Sequence, residues 1–186
     1  MRWSELFADL EARAVAWEAA ELELEVADRT RAETGRVVLA NRLRRQLGSS
    51  FRLEVHGLGA IEGVLDRVGG DWLLLGLAED VVIPLAAITA VHDLPVAAVS
   101  PDGVNQVDSR LMLSSALRAI AVDRCVVRLH RRDGSTVVGT PSRVGADWVD
   151  LACHDGDEVP RAGTVRDVCT VPFYAVGAVR RLARGW

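Results

Sequence analysis

Apolar positions along this chain change period twice. Over residues 3–26 they recur every three or four: Trp3, Leu6, Phe7, Leu10, Ala14 and Trp17. That is the period of one face of an amphipathic helix, with Ser4 placed to act as its N-cap. The stretch ELELEV at 21–26 alternates instead, as a strand would. Val37, Ala40, Leu43 and Leu47 return to helical steps, and Gly48 is a natural stop for this second helical stretch. The sign of the charge reverses between the two. Acids dominate up to Asp28, whereas from Arg29 to Arg45 six arginines face Glu33 alone. Two such segments suit an antiparallel hairpin, a partner chain, or two separately solvated faces, because exposed ion pairs contribute only about 0–1 kcal/mol each.

At Ser50 the period becomes two. FRLEVHG sets Phe51, Leu53 and Val55 against Arg52, Glu54 and His56, the pattern of a half-buried strand. AIEGVLDRV follows a glycine-bearing turn at 57–59, and DWLLLGL follows Gly69-Gly70. DVVIPLAAITAVHDL reads as a strand, a break at Pro84 and a short strand from Ile88 to His92. Short strands joined this tightly predict a small barrel rather than βαβ units. LPVAAVSPDGVNQV, residues 94–107, has the chemistry of a linker. Asp108 then stands as the N-cap of a helix whose face is Leu111, Ser114 or Ser115, Leu117 and Val122.

The pattern returns after that helix. RVGGDWLLL at 67–75 is echoed by RVGADWVDL at 143–151, Asp133-Gly134 marks a hairpin, and Pro172 stands where Pro84 stood. The expectation is an internal duplication in an α+β, mostly β chain. An acidic helix over 1–28 precedes a helix and first five-stranded barrel over 29–94. A linker at 95–107 leads to a helix and second barrel over 108–186. Gly69 and Gly145 supply the freedom a tight turn needs, Asp71 and Asp147 are placed to bond turn amides, and Trp72 and Trp148 would each close one end of a barrel.

A helix followed by five bent strands, with Gly63 or Gly139 inside the second, resembles the Sm/LSm-like small-barrel fold, the group that includes bacterial Hfq. The resemblance covers roughly 29–94 and 108–182. The chain is also similar to proteins of high-GC bacteria that carry DRTRAE-type helices ahead of such barrels, a likeness that implies no activity. A PRC-type barrel is a competing reading of the same strands. The Sm resemblance implies RNA reading through an Asp…Asn pair and an Arg-Gly step before strand five. Here the Asn position falls on Leu73 and Val149, and strand five reads AITAV and AVGAV, so those residues do not carry over.

Composition narrows the partners. A net charge of −4 over 186 residues gives a bulk field that does not favour nucleic acid. No apolar run reaches the roughly 18 residues of a spanning helix. The acidic start lacks a basic-then-apolar signal, so a cytoplasmic location is expected, without membrane partners. Cys125, Cys153 and Cys169 form no C-x-x-C pair and suit reduced, structural thiols. All 22 basic residues are arginine. A GC-rich coding sequence accounts for this, and phosphate recognition would use it.

No reaction is legible. Cys153, His154 and Asp155 are adjacent, but neighbours on a strand point to opposite faces, whereas a triad needs convergence. His56 and His130 take similar places in two separate strands, and a metal needs three or four converging ligands. GLGAIEG lies between antiparallel strands rather than ahead of a helix, so it is no phosphate loop. No catalytic residue, metal, cofactor or small-molecule substrate is expected. Two binding surfaces remain. Arg128, Arg131, Arg132, Arg180, Arg181 and Arg184 flank strands one and five of the second half, which pair in the Sm-like fold; they form a candidate site for phosphate or an acidic partner, or else a solvated edge. Trp3, Phe7, Leu10 and Trp17 form a candidate face for a partner helix. A non-enzymatic scaffold acting through protein contacts or self-association is the first expectation, and an Hfq-like RNA-binding regulator the alternative.

Overall fold

The helical period of the first residues becomes a single helix, α1 (Trp3–Thr34), which continues through ELELEV and across the sign change at Asp28–Arg29. Alanine, leucine, glutamate and arginine dominate it, all residues that give up little on entering a helix. It begins ahead of Ser4, which is therefore inside the helix rather than at its cap. The expected amphipathicity is corrected too. At about 100° per residue, Trp3, Phe7, Leu10, Trp17 and Leu24 fall on one side, and Val15, Leu22 and Val26 on the opposite one. A computed structural model of the chain describes residues 3–76, 78–99, 109–153 and 167–182. It divides into two units, Met1–Val38 and Leu39–Trp186.

In the second unit the predicted second helix is a short one, α2 (Leu39–Arg44). Leu43 and Ala40 are buried on its inner side. The strands fall where alternation puts them: β1 (Ser50–Val55), β2 (Gly59–Val68), β3 (Trp72–Gly76), β4 (Val81–Pro84) and β5 (Ile88–Val91). After α3 (Leu113–Val122) come β6 (Val127–Arg131), β7 (Thr136–Val144), β8 (Trp148–Cys153), β9 (Asp167–Pro172) and β10 (Val176–Arg181). Pro84 and Pro172 each lead into a single 3-10 turn. The expected N-cap Asp108 lies outside the described residues; the N-cap position of α3 is Met112.

These strands do not close into two barrels. All ten belong to one open antiparallel sheet, in the order β5-β1-β2-β3-β4-β10-β6-β7-β8-β9. The seam is β4 against β10, with Val82 opposite Val179 and Val81 opposite Arg180. Two tandem Sm-like barrels, and a duplication into two self-contained β cores, are therefore corrected: both tryptophan hairpins belong to the same sheet. The cause is visible in β4. Val81, Val82 and Ile83 are all buried, and a strand apolar on both faces does not announce its neighbour. Its free backbone groups are met by β10, across the seam, rather than by a strand that would close the first five.

The core follows the sheet. One cluster gathers Leu43, Leu53, Leu65, Leu73, Leu75 and Ile83, and Ala178 of β10 joins it. The other gathers Leu117, Leu129, Val149, Leu151 and Val171, and Trp72 and Val82 of the first five strands join it. Each leucine so buried stabilises by about 1.5–3 kcal/mol, and each cluster is completed from across the seam. Among the described residues no helix is long and apolar enough to cross a membrane.

Candidate functional site

β6 and β10 pair antiparallel, with Arg128 directly opposite Arg180, Ala178 opposite His130 and Val127 opposite Arg181. Alternation along the strands divides the arginines between faces. Val127, Leu129 and Val179 enter the core. Arg128, His130 and Arg180 stand on the other face. Arg181 instead lines a cavity with Val127 and Val179. Arg131 and Arg132 sit at the end of β6, where the Arg132 Nε reaches the Val176 carbonyl at 3.4 Å. Arg184 lies outside the described residues. The sheet thus brings Arg128 and Arg180 together and turns Arg181 away from them.

His130 lies within this pair of charges. Burial holds its pKa below the ordinary value of 6.5, and the positive charges of Arg180 and Arg128 lower it further. Its Nε2 is buried without a hydrogen-bond partner, as is the Nε of Arg180. The first ladder offers a contrast. There Leu53 faces Val91 as Leu129 faces Val179, and Glu54 and His92 beside them are hydrogen-bonded at 3.0 Å. Gly177 is crossed closely by the carbonyls of His56 and His130, and a Cβ there would overlap the His56 oxygen. The turn after β1 is thus pressed against the β6–β10 pair.

On the opposite face, α3 and strands β3, β4, β6 and β10 enclose a half-open cavity of about 330 Å³. Its walls are apolar, including Trp72, Leu74, Val82, Val127 and Ile120, and its polar groups include Arg67, Asp80, Asp123, Arg181 and Cys125. The turn between β2 and β3 anchors it. Trp72 Nε1 donates to the Leu111 carbonyl at 2.8 Å, and the Leu113 amide donates to Asp71 Oδ1 at 2.6 Å, capping α3 from a distant turn. Sequence reading assigned Asp71 to its own turn, and no local signal pointed to α3.

The other candidates are placed as follows. Trp3, Phe7, Leu10 and Trp17 are exposed on α1, between 51% and 81%, and the rings of Trp3 and Phe7 lie 6.4 Å apart. The Cys153 thiol is half-buried and pushed up, first by burial and then by the neighbouring Cys169, which disfavours the nucleophilic thiolate. His154 and Asp155 lie outside the described residues. All three cysteines are free. Among the described residues no three His, Cys, Asp or Glu side chains converge as a metal site would require. One buried acid went unnoticed in the sequence: Asp150, which accepts from Thr170 Oγ1 at 2.6 Å and pairs with Arg143 Nε at 3.1 Å. Comparison with protein-family models, with curated proteins and with solved structures returns no match.

Proposed function

We propose that this chain is a non-enzymatic binding or scaffolding protein acting through protein–protein contacts, with α1 as the principal contact and the outer strands β5 and β9 as secondary ones. The observation that carries the reading is the surface of α1. A helix gains most of its stability in a protein from packing an apolar face. This one exposes Trp3, Phe7, Leu10, Val15, Trp17, Leu22, Leu24 and Val26. So much exposed apolar surface on one element marks an interaction site. Terminal strands add to the reading, because their outward backbone groups can accept a further strand.

The test is size-exclusion with light scattering, together with affinity capture, on the full chain and on a Trp3→Ser, Phe7→Ser, Trp17→Ser variant. Self-association or partner capture by the native chain, lost in the variant while the sheet stays folded, supports the reading. A native chain that is monomeric at high micromolar concentration and captures nothing removes it.

A further inference from the structure

The β6–β10 ladder contains an arrangement that costs stability as it stands. Arg128 and Arg180 are directly opposed, and like charges at opposed positions of an antiparallel pair work against the sheet. Among the described residues neither side chain makes an ion pair or a hydrogen bond to offset this, unlike Arg143, which pairs with Asp150 at 3.1 Å. The Arg180 Nε and the His130 Nε2 are both buried with no partner. Buried donors left unmet are costly. At the matching place in the β1–β5 ladder an acid, Glu54, is present and hydrogen-bonds the His92 ring at 3.0 Å. In the second ladder a histidine holds that place, and two positive charges remain uncompensated.

We infer that Arg128, His130 and Arg180 bind a phosphate group, and specifically a phosphate monoester dianion. Two guanidiniums match its two negative charges, and their planar forks suit its oxygens. Held neutral between two cations, His130 offers a ring N–H donor rather than a third charge. The β1–β2 turn, pressed on Gly177, limits the space beside the ladder. A long polyanion is the poorer fit, since the chain carries a net charge of −4 and, among the described residues of β6 and β10, Arg128 and Arg180 are the arginines placed opposite each other. This site goes beyond the scaffolding reading and does not depend on it.

The experiment titrates the full chain with inorganic phosphate, with a nucleoside 5′-monophosphate, and with a short RNA that lacks a terminal phosphate, by calorimetry at low salt. The inference expects phosphate and the monophosphate to bind, with the RNA weaker. Arg128→Gln and Arg180→Gln should each weaken binding on the order of ten- to a hundredfold, the cost of a lost charged hydrogen bond. In the native chain, adding phosphate should move the His130 ring signals in an NMR spectrum and leave those of His92, at the far ladder, in place. That second measurement holds even where a variant fails to fold. Absence of binding by the folded native chain, an unmoved His130 signal, or RNA binding as tightly as the monophosphate would each overturn the assignment.

Discussion

Gly69 and Gly145 each accept an arginine on their carbonyl, from Arg44 in one turn and from Arg118 in the other. Each donates its amide to the carbonyl of the tryptophan three residues on, at 2.8 and 2.9 Å. Asp71 and Asp147 each hold the residue after the following proline, Leu85 and Phe173, through their main-chain oxygens. The two turns are built alike down to these contacts. They differ in what docks on them. The first receives the start of α3, through Asp71, Trp72 and Gly70. Trp72 is 5% exposed in consequence, whereas Trp148 stays half-buried and outside both core clusters. A shared local sequence therefore fixes the turn, while the chain that packs on it decides whether the turn becomes a structural joint.

The largest effect should come from the two tryptophans. Trp72→Ala removes a ring packed among Val82, Leu113 and Leu117, and large-to-small changes of this kind cost about 3–5 kcal/mol. Trp148→Ala should cost less than half as much. Urea unfolding followed by circular dichroism measures both, and equal losses would break the contrast.

Next is the place where the two sheet regions differ in charge. Arg67 faces Leu74 across β2 and β3, and Arg143 faces Asp150 across β7 and β8. Asp150 is 4% exposed and satisfies both Thr170 and Arg143. Asp150→Ala leaves the threonine hydroxyl without its acceptor and should lower stability by about 1–3 kcal/mol. Arg143→Ala should cost less, since its side chain is largely exposed and exposed partners contribute about 0–1 kcal/mol. Equal losses in the two variants would show that the ion pair, and not the buried acceptor, carries the effect.

A smaller difference separates the aspartates of the turns. Asp71→Ala removes the cap of α3 and should cost about 1 kcal/mol. For Asp147→Ala, whose side chain makes no bond among the described residues, the change should stay within about 0.5 kcal/mol. Thermal unfolding resolves the two, and a loss at Asp147 matching that at Asp71 would mean that the second turn also holds a partner element.

The ten strands and their turns were readable because each depends on its own alternation and on glycine or proline at its ends. Phe51, Leu53 and Val55 point inward as their spacing requires. What could not be read was the pairing. β4 and β10 are almost a hundred residues apart in the chain, and nothing within VVIP tells a barrel-closing neighbour from a distant one. Core membership of Trp72 and Ala178 follows from that seam, so it was hidden with it. Reading strands one and five of the second half as a pair rested on a resemblance, and β6 does pair with β10. Even so, alternation within the single stretch VRRL separates Arg180 from Arg181, so the division of the arginines between faces is legible in the sequence. For α1, steps of three and four link Trp3, Phe7, Leu10 and Trp17 into one stripe, but Val15, Leu22 and Val26 are equally apolar on another side, so the period alone does not make the helix amphipathic.

The smallest effect is a pH dependence, and it bears on the two ladders. His130 has a folded pKa below 6.5, set by burial and then by Arg180 and Arg128. Well above 6.5 the ring is neutral in both folded and unfolded chains and contributes no pH dependence. As the pH falls through 6.5, the unfolded chain takes up the proton first, so unfolding is favoured and stability declines until the folded pKa is passed. Asp133 shifts in the same sense, through its hydrogen bonds to Ser135, but only at acid pH below its ordinary 3.8. Between pH 7 and pH 5 the histidine is therefore the group to watch. His130→Gln should lose less stability over that interval than the native chain, with the urea midpoint as the readout. An identical decline in both would mean that neither burial nor the opposed arginines lower the pKa of His130.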